Sequence, residues 1–525
     1  MAKQQPATQK SAEELAQERA RRIRYGLTLG AIAILIAILW WRYAATQRLI
    51  RALDSGDLKV RAEAARKLLA KGVLEDSLPA QPVNRRARTA PALAIVANKP
   101  ALEQLLALMK DPEDKPQEAA WKALGRVGVK GLPYVEKLFK EGDVRSKRAA
   151  VKAAGLMGKP AIKELARTVL GTSQEDKDRR EQAAIALGQM RKFALGTEPR
   201  PAGFKRPSGP QVAEEATLPL LKAAQSDDRD LRRIAITVLG DVKEKRAVPF
   251  ALKELSDPLN SRAAIIALGL IGDSRATLAL MPFLKDESLE LDAANALGNI
   301  ADTRAAGPIL ERLKDPELQF RQRGVWALQR MGASAVPVLV AALKSSNANQ
   351  RRCAAEGMIG THAPDSVPAL EQALSDPDDQ VRMFAAEALG WKGNTRALNA
   401  LVAALRDKSW RVADAATDAL AEIGQAALPA LMAQFKSDSV TAAYRASLAI
   451  AAIARPGYGS PASALKQALR AEDAPTRKWA AVTLGDMNDT GADAALRDYW
   501  RRAQSPDEKY VAAEALRKLG APAGG

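Results

Sequence analysis

The chain has 525 residues, 47% of them apolar but only 4% aromatic, and a formal net charge of +18. That length exceeds what one hydrophobic core organises, so several domains or a repeat array is expected, and burial carried by alanine and leucine suits packed helices better than sheets. A single cysteine, Cys353, and a single histidine, His362, exclude an intrachain disulfide and any metal site built on several cysteines or histidines.

The charge is unevenly spread. Residues 1–250 hold 47 Lys and Arg against 29 Asp and Glu, whereas residues 251–525 hold 32 of each. A basic half suggests an anionic neighbour: lipid headgroups, nucleic acid or an acidic protein.

Residues 1–24 form a polar, basic tail, and residues 25–43 follow as an apolar segment. From Tyr25 to Trp41 the chain reads YGLTLGAIAILIAILWW, seventeen residues without a charge. As a helix this spans about 25 Å, near the short end of what crosses a bilayer. Trp40 and Trp41 suit an interfacial aromatic belt, and the flanking Arg24 and Arg42 can snorkel to the headgroups. The long polar lead and the lack of a small-residue cleavage site favour an uncleaved anchor over a signal peptide. Arg19, Arg21, Arg22 and Arg24 bias the N-terminus toward the cytoplasm, which places the rest of the chain outside it, in the periplasm if the source is bacterial.

Beyond the anchor one phrase recurs, clearest in VRMFAAEALG, residues 381–390. With the last residue of that phrase as a register mark, copies end at Gly125, Gly155, Gly188, Gly240, Gly269, Gly298, Gln329, Ile359, Gly390, Ala421, Ala451, Gly485 and Arg517, with a weaker one near Leu69. Most spacings are 29 to 34 residues, room for two short helices and two turns, and self-similarity at that period marks a solenoid. Asp-Pro pairs such as Asp111-Pro112, Asp257-Pro258, Asp315-Pro316 and Asp376-Pro377 predict capped helix starts. Gly390 and Gly393 predict the turn between the helices, and Leu398, Leu401 and Leu405 the apolar stripe of the second. Two segments break the period: residues 77–91, and a Pro/Gly-rich basic loop at 191–214 that separates arrays at 44–190 and 215–520, with a frayed tail at 521–525.

The phrase VRxxAAxALGxxG followed by RAxxxLxxxLxD resembles the HEAT-like repeat of the phycobilin-lyase type, over nearly all of residues 50 to 520. The resemblance implies an all-α, right-handed solenoid of thirteen or fourteen helical hairpins behind one transmembrane helix. It leaves function open, because such repeats occur in lyases, in a metal-dependent hydroxylase and in scaffolds. The di-iron site of the hydroxylase members needs His-Glu pairs, which one histidine cannot supply. No phosphate-binding glycine loop and no nucleophile–base pair is present, and carboxylate pairs such as Asp378-Asp379 and Glu472-Asp473 read as helix caps. A non-catalytic chain with no cofactor and no metal is expected, with an enzyme of phycobilin-lyase type as the rival reading and a bound chromophore as its mark.

A basic residue eight places before the mark recurs as Arg61, Lys147, Arg180, Arg232, Arg321, Arg351, Arg382, Arg477 and Lys509. The resemblance implies that it bonds to the turn of an adjacent repeat. Residues seven and three before the mark share the helix face opposite the buried stripe, and the resemblance implies that this face lines the concave side. It carries Arg148 and Lys152, then Arg233, Arg262, Gln322 with Trp326, Arg352, Met383, Asp414 and Tyr444, with Trp410 one turn before Asp414. Aromatic and arginine side chains dominate binding hot spots, so the expected partner-binding set is Arg148, Lys152, Arg233, Arg262, Trp326, Arg352, Met383, Trp410 and Tyr444. The expected partners are a protein, the membrane through residues 25–43, and anionic headgroups at the basic half. Nucleic acid is a rival only if the array faces the cytoplasm.

Overall fold

A computed structural model describes residues 12–171, 177–198, 209–315, 317–391, 393–454 and 460–521, and from residue 27 onward their side chains. Among these residues every regular element is a helix. The first, Ala12–Ala52, runs unbroken through the apolar segment. From Leu27 to Ala52 it is long and apolar enough to cross a membrane, and its residues 27–43 are all exposed. Its last turn packs on helix Leu58–Ala70 and buries Ile50. A second apolar stretch, Leu318–Ala342, is partly buried and folds as two helices of the repeat array.

The chain divides into two compact units at Val242/Lys243. In the first unit, helices Leu58–Ala70, Val83–Val96, Asp114–Val127, Val144–Leu156, Lys177–Leu195 and Arg229–Asp241 stack as one row. In the second, nine helices from Ser261–Ile271 to Pro506–Lys518 do the same. The intervening helices, such as Leu398–Ala404, form a second row in each unit.

Three expectations are corrected. Residues 77–91 are not an irregular surplus, because most of them belong to helix Val83–Val96, which stacks between Leu58–Ala70 and Asp114–Val127 as a full member of the first row. The described residues therefore hold fifteen such helices, six and nine in the two units, rather than thirteen or fourteen. The segment 191–214 is helical at both ends: Lys177–Leu195 continues past residue 191, Gly209–Ala223 begins before 215, and residues 199–208 lie outside the described residues. The boundary between units falls after residue 242 because Lys177–Leu195 packs on both Gly209–Ala223 and Arg229–Asp241.

The local chemistry is sharper than expected at the helix starts. The aspartate of Asp376-Pro377 is not the cap. Asp378 is, accepting hydrogen bonds from the amides of Gln380 (3.0 Å) and Val381 (3.2 Å), while Asp376 closes a turn by accepting from the Asp378 amide at 2.9 Å. A residue before proline is held extended, so the helix starts two residues later and the Asp376 carboxylate is left for another partner. Asp111 behaves alike, accepting from the Glu113 amide at 3.0 Å. Pro316 lies outside the described residues.

Gly393, at φ +83°, makes the turn as expected. Gly390 does not, since its φ is −81°. It is required by close approach: a Cβ there would lie 2.6 Å from Ala419 Cα on the next helix of the row. Gly269 stands in the same relation to Ala296, at 2.5 Å. Small residues thus let first-row helices nearly touch, while Val381, Ala385 and Leu389 are fully buried behind them. Neither row has a core of its own, and stability comes from stacking.

Candidate interaction face

Grooves open along the second row. One of about 750 Å³ runs between Met281–Lys285 and Ala306–Arg312, lined by Leu278, Met281, Pro282, Gly307 and Pro308. The exposed side of the first-row helices, which carries most of the expected partner-binding residues, is designated the inner face.

The recurrent arginines build a ladder along one edge of that row. Arg382 Nε and Nη2 bind the two oxygens of Asp407 in the next repeat at 2.8 and 2.9 Å, while Nη1 donates to the carbonyls of Asp376 (2.8 Å) and Pro377 (3.3 Å). Arg351 repeats this with Asp376 and the carbonyls of Ser345 and Ser346, and Arg477 with Glu508 and the carbonyls of Ala471 and Glu472. One guanidinium thus closes its own turn and clamps its neighbour, a use of the planar fork that lysine cannot reproduce. Arg180 reaches Asp228 at 3.0 Å, Lys147 reaches Asp178 at 2.6 Å, and Arg321 reaches Glu356 at 2.5 Å. Arg232 binds the carbonyls of Ser226 and Asp227 in its own turn. The ladder extends into the unexpected helix, where Arg86 binds Asp111 at 2.7 Å.

In the first unit, Arg148 and Lys152 are both exposed on Val144–Leu156. The Lys152 ammonium lies 5.7 Å from the centre of the Trp121 ring, which Lys122 also flanks at 5.6 Å. Arg233 is half-buried and 3.5 Å from Asp230. The membrane-flank residues Trp40, Trp41 and Arg42 are exposed, and the side chain of Arg24 lies outside the described residues.

In the second unit, Arg262 donates to the Ser288 carbonyl at 2.5 Å and lies 3.5 Å from Asp292. Trp326 covers Gly298, whose Cβ would meet the ring at 2.6 Å, and Arg330 stacks on it at 5.9 Å. Arg352 is tied to Asp378, the cap of the next helix, with Nε at 2.9 Å. Met383 is half-buried. By contrast Trp410 is 65% exposed, with Arg411 stacked on it at 5.6 Å, and Tyr444 is 48% exposed and leans on Trp479 at 6.3 Å.

Composition-led reading overlooked several residues at the same register. Asp418 and Leu448, three places before their marks, are exposed on the inner face, as is Tyr510, seven places before Arg517. The carboxyl of Glu387 is pushed up, first by desolvation and then by Glu356 and Asp418. Burial pushes the Cys353 thiol to about 11. His362 is exposed in a left-handed turn, φ +50°, and stacks on Trp391 at 6.0 Å. Among the described residues no group of three or more His, Cys, Asp or Glu is arranged to hold a metal ion.

A two-row stack of helical hairpins clamped by an inter-repeat ladder defines an α-solenoid. The family model for HEAT repeats matches residues 217–291, 285–360, 366–451 and 442–517, more than half of the chain, and the chain belongs to that family. No curated protein matches it. Among solved structures it is similar to Kap121p bound to Nup53p, at 12% identity over 92% of this chain and 53% of that one, with a TM-score of 0.45. It is also similar to importin beta in an ammonium sulfate condition (14% identity, 90% and 67% covered, TM-score 0.31) and to an engineered protein (19% identity, 91% and 99% covered, TM-score 0.18). The chain spans about half the length of the Kap121p chain.

Proposed function

We propose that the protein is a membrane-anchored, non-catalytic scaffold that holds a protein partner on the inner face of its repeats. The observation that carries this reading is the exposure of Trp410 and Tyr444 on that face, 65% and 48%, in a chain with only 4% aromatic residues. Large rings that stay exposed on a rigid surface are the usual anchors of a protein interface. The helix through residues 27–43 presents no charged side chain before Arg42, and it serves as the anchor with the N-terminus in the cytoplasm and the repeats outside it. The basic first unit then lies next to the bilayer, where Arg148 and Lys152 are available to anionic headgroups.

Two measurements test the proposal. Reporter fusions after residue 60 and at the C-terminus, one active only in the cytoplasm and one only outside it, are expected to report the outside location for both. Trp410→Ala with Tyr444→Ala, compared with wild type in cross-linking pull-downs from the native membrane, is expected to abolish capture of specific partners without lowering the melting temperature. Loss of folding in that variant would make the rings structural, and unaltered capture would remove them from the interface.

A further inference from the structure

Residues 251–525, nearly all of the second unit, are neutral by count, with 32 basic and 32 acidic residues, yet the inner face there is not neutral in effect. Several cations at or beside the outward positions are paired within the array: Arg352 with Asp378, Lys478 with Asp507, and Arg445 with Asp414. Arg321 is held by Glu356, and Arg411 lies along the Trp410 ring. Two carboxylates at one register on successive helices, Glu387 and Asp418, receive no hydrogen bond or ion pair among the described residues. Next to them on the following helix lie the exposed Tyr444 and Leu448, and Trp410 stands one and then two turns before Asp414 and Asp418 on the same helix face. Trp326, at the far end, is already covered by Arg330 and lies against Gly298, so it is not part of this surface.

We infer that this face, from Asp379–Leu389 to Val440–Ile453, binds a protein segment in which Lys or Arg residues adjoin apolar ones, the cations meeting Glu387 and Asp418 and the apolar residues meeting Trp410, Tyr444 and Leu448. The inference deepens the scaffold reading and rests on it. Charge complementarity selects the occupant. An acidic segment, an anionic lipid surface or a nucleic acid would add like charge beside two carboxylates that already repel each other, and like-charge juxtaposition across an interface is strongly disfavoured. A cation placed there relieves that repulsion. The raised carboxyl of Glu387 agrees with this, since an approaching ammonium or guanidinium would lower it again.

The test uses the full-length protein in detergent micelles and a fluorescent synthetic peptide with a central run of lysines bracketed by leucine and phenylalanine. Fluorescence anisotropy is expected to show binding that weakens with salt. Glu387→Gln with Asp418→Asn should weaken it by roughly tenfold, as two solvent-facing ion pairs allow. Trp410→Ala with Tyr444→Ala should weaken it by more, about thirtyfold. Melting curves close to that of the wild type will certify the folded state of both variants. Four results would overturn the inference. One is no binding of the peptide; another is equal binding of a peptide with glutamates in place of the lysines. The third is binding sensitive to the aromatic pair but indifferent to the carboxylate pair, which would leave the scaffold reading standing while removing the cationic partner. Binding of an anionic vesicle or an oligonucleotide at this face, abolished by the aromatic variant, would also refute it.

Discussion

Replacing Arg382 with alanine isolates what the ladder contributes. The guanidinium is 5% exposed, its partner Asp407 is 13% exposed, and four hydrogen bonds at 2.8 to 3.3 Å are lost together. Burial works to raise the Asp407 carboxyl, yet Arg382 and the Ser409 amide hold it below the ordinary carboxylate range. Without Arg382 the desolvation remains and most of its compensation is gone. Breaking a buried pair from one side costs about 3–5 kcal/mol.

Because neighbouring repeats stabilise one another mainly pairwise, that loss is local. Hydrogen exchange in helices Asp379–Leu389 and Trp410–Ile423 is expected to accelerate from about a hundredfold to a few thousandfold, while Leu58–Ala70 is unchanged. The effect must also depend on pH with a definite sign. A carboxyl whose folded pKa is depressed stabilises the fold above its unfolded pKa and ceases to do so as pH falls through the folded value. The difference between wild type and variant should therefore be full at neutral pH and shrink below about pH 4. Arg382→Met with Asp407→Leu, which removes both charges, should recover most of the loss. If Arg382→Ala leaves exchange in both helices unchanged, or accelerates it equally throughout the chain, the clamp is not what holds the repeats together.

Three further outcomes follow from particular residues. Gly269→Ala, whose Cβ would lie 2.5 Å from Ala296 Cα, should destabilise by about 1–3 kcal/mol in thermal melts, whereas Gly307→Ala, with open space around it, should stabilise by a few tenths to about 1 kcal/mol. Cys353, fully buried with its thiol pushed to about 11, should resist maleimide in the folded protein at pH 8 and react once the protein is unfolded. The Arg304 guanidinium, with burial opposing and the Arg304 amide assisting, holds the Asp302 carboxyl down to about 2. The stability it supplies should thus be complete above about pH 4 and vanish only as the pH falls toward 2, and Asp302→Asn should flatten that part of an acid-unfolding profile.

What the sequence disclosed and what it withheld separate along one physical line. The period, the helix pairs and the buried stripe of Val381, Ala385 and Leu389 were legible because burial repeats at helical spacing in every copy. Helix Val83–Val96 was hidden by Pro91 and by the absence of an ALG ending, yet its ladder residue was in view: Arg86 precedes Asp111 by 25 residues, the same separation as Arg351 from Asp376 and Arg382 from Asp407. Reading the pair rather than the apolar phrase would have found it. The roles of Asp376 and Gly390 were misassigned for a related reason. Each residue type has a local use, capping or turning, that sequence alone favours, and each is used here against the neighbouring repeat, which only the stacked array reveals.

The inner face shows the same division at the level of function. Arg352, Trp410 and Tyr444 look equivalent in the sequence, all outward residues of hot-spot type. In the fold Arg352 is clamped to the next helix cap, while the two rings stay open beside Glu387 and Asp418. Arg351, Arg352 and Arg382 are each held by a carboxylate of the adjacent repeat, which serves the stack and leaves them unavailable to a ligand. In the second unit the face keeps Trp410, Tyr444, Glu387 and Asp418 exposed, and it is this set, rather than its clamped arginines, on which the proposed cationic, apolar-flanked partner depends.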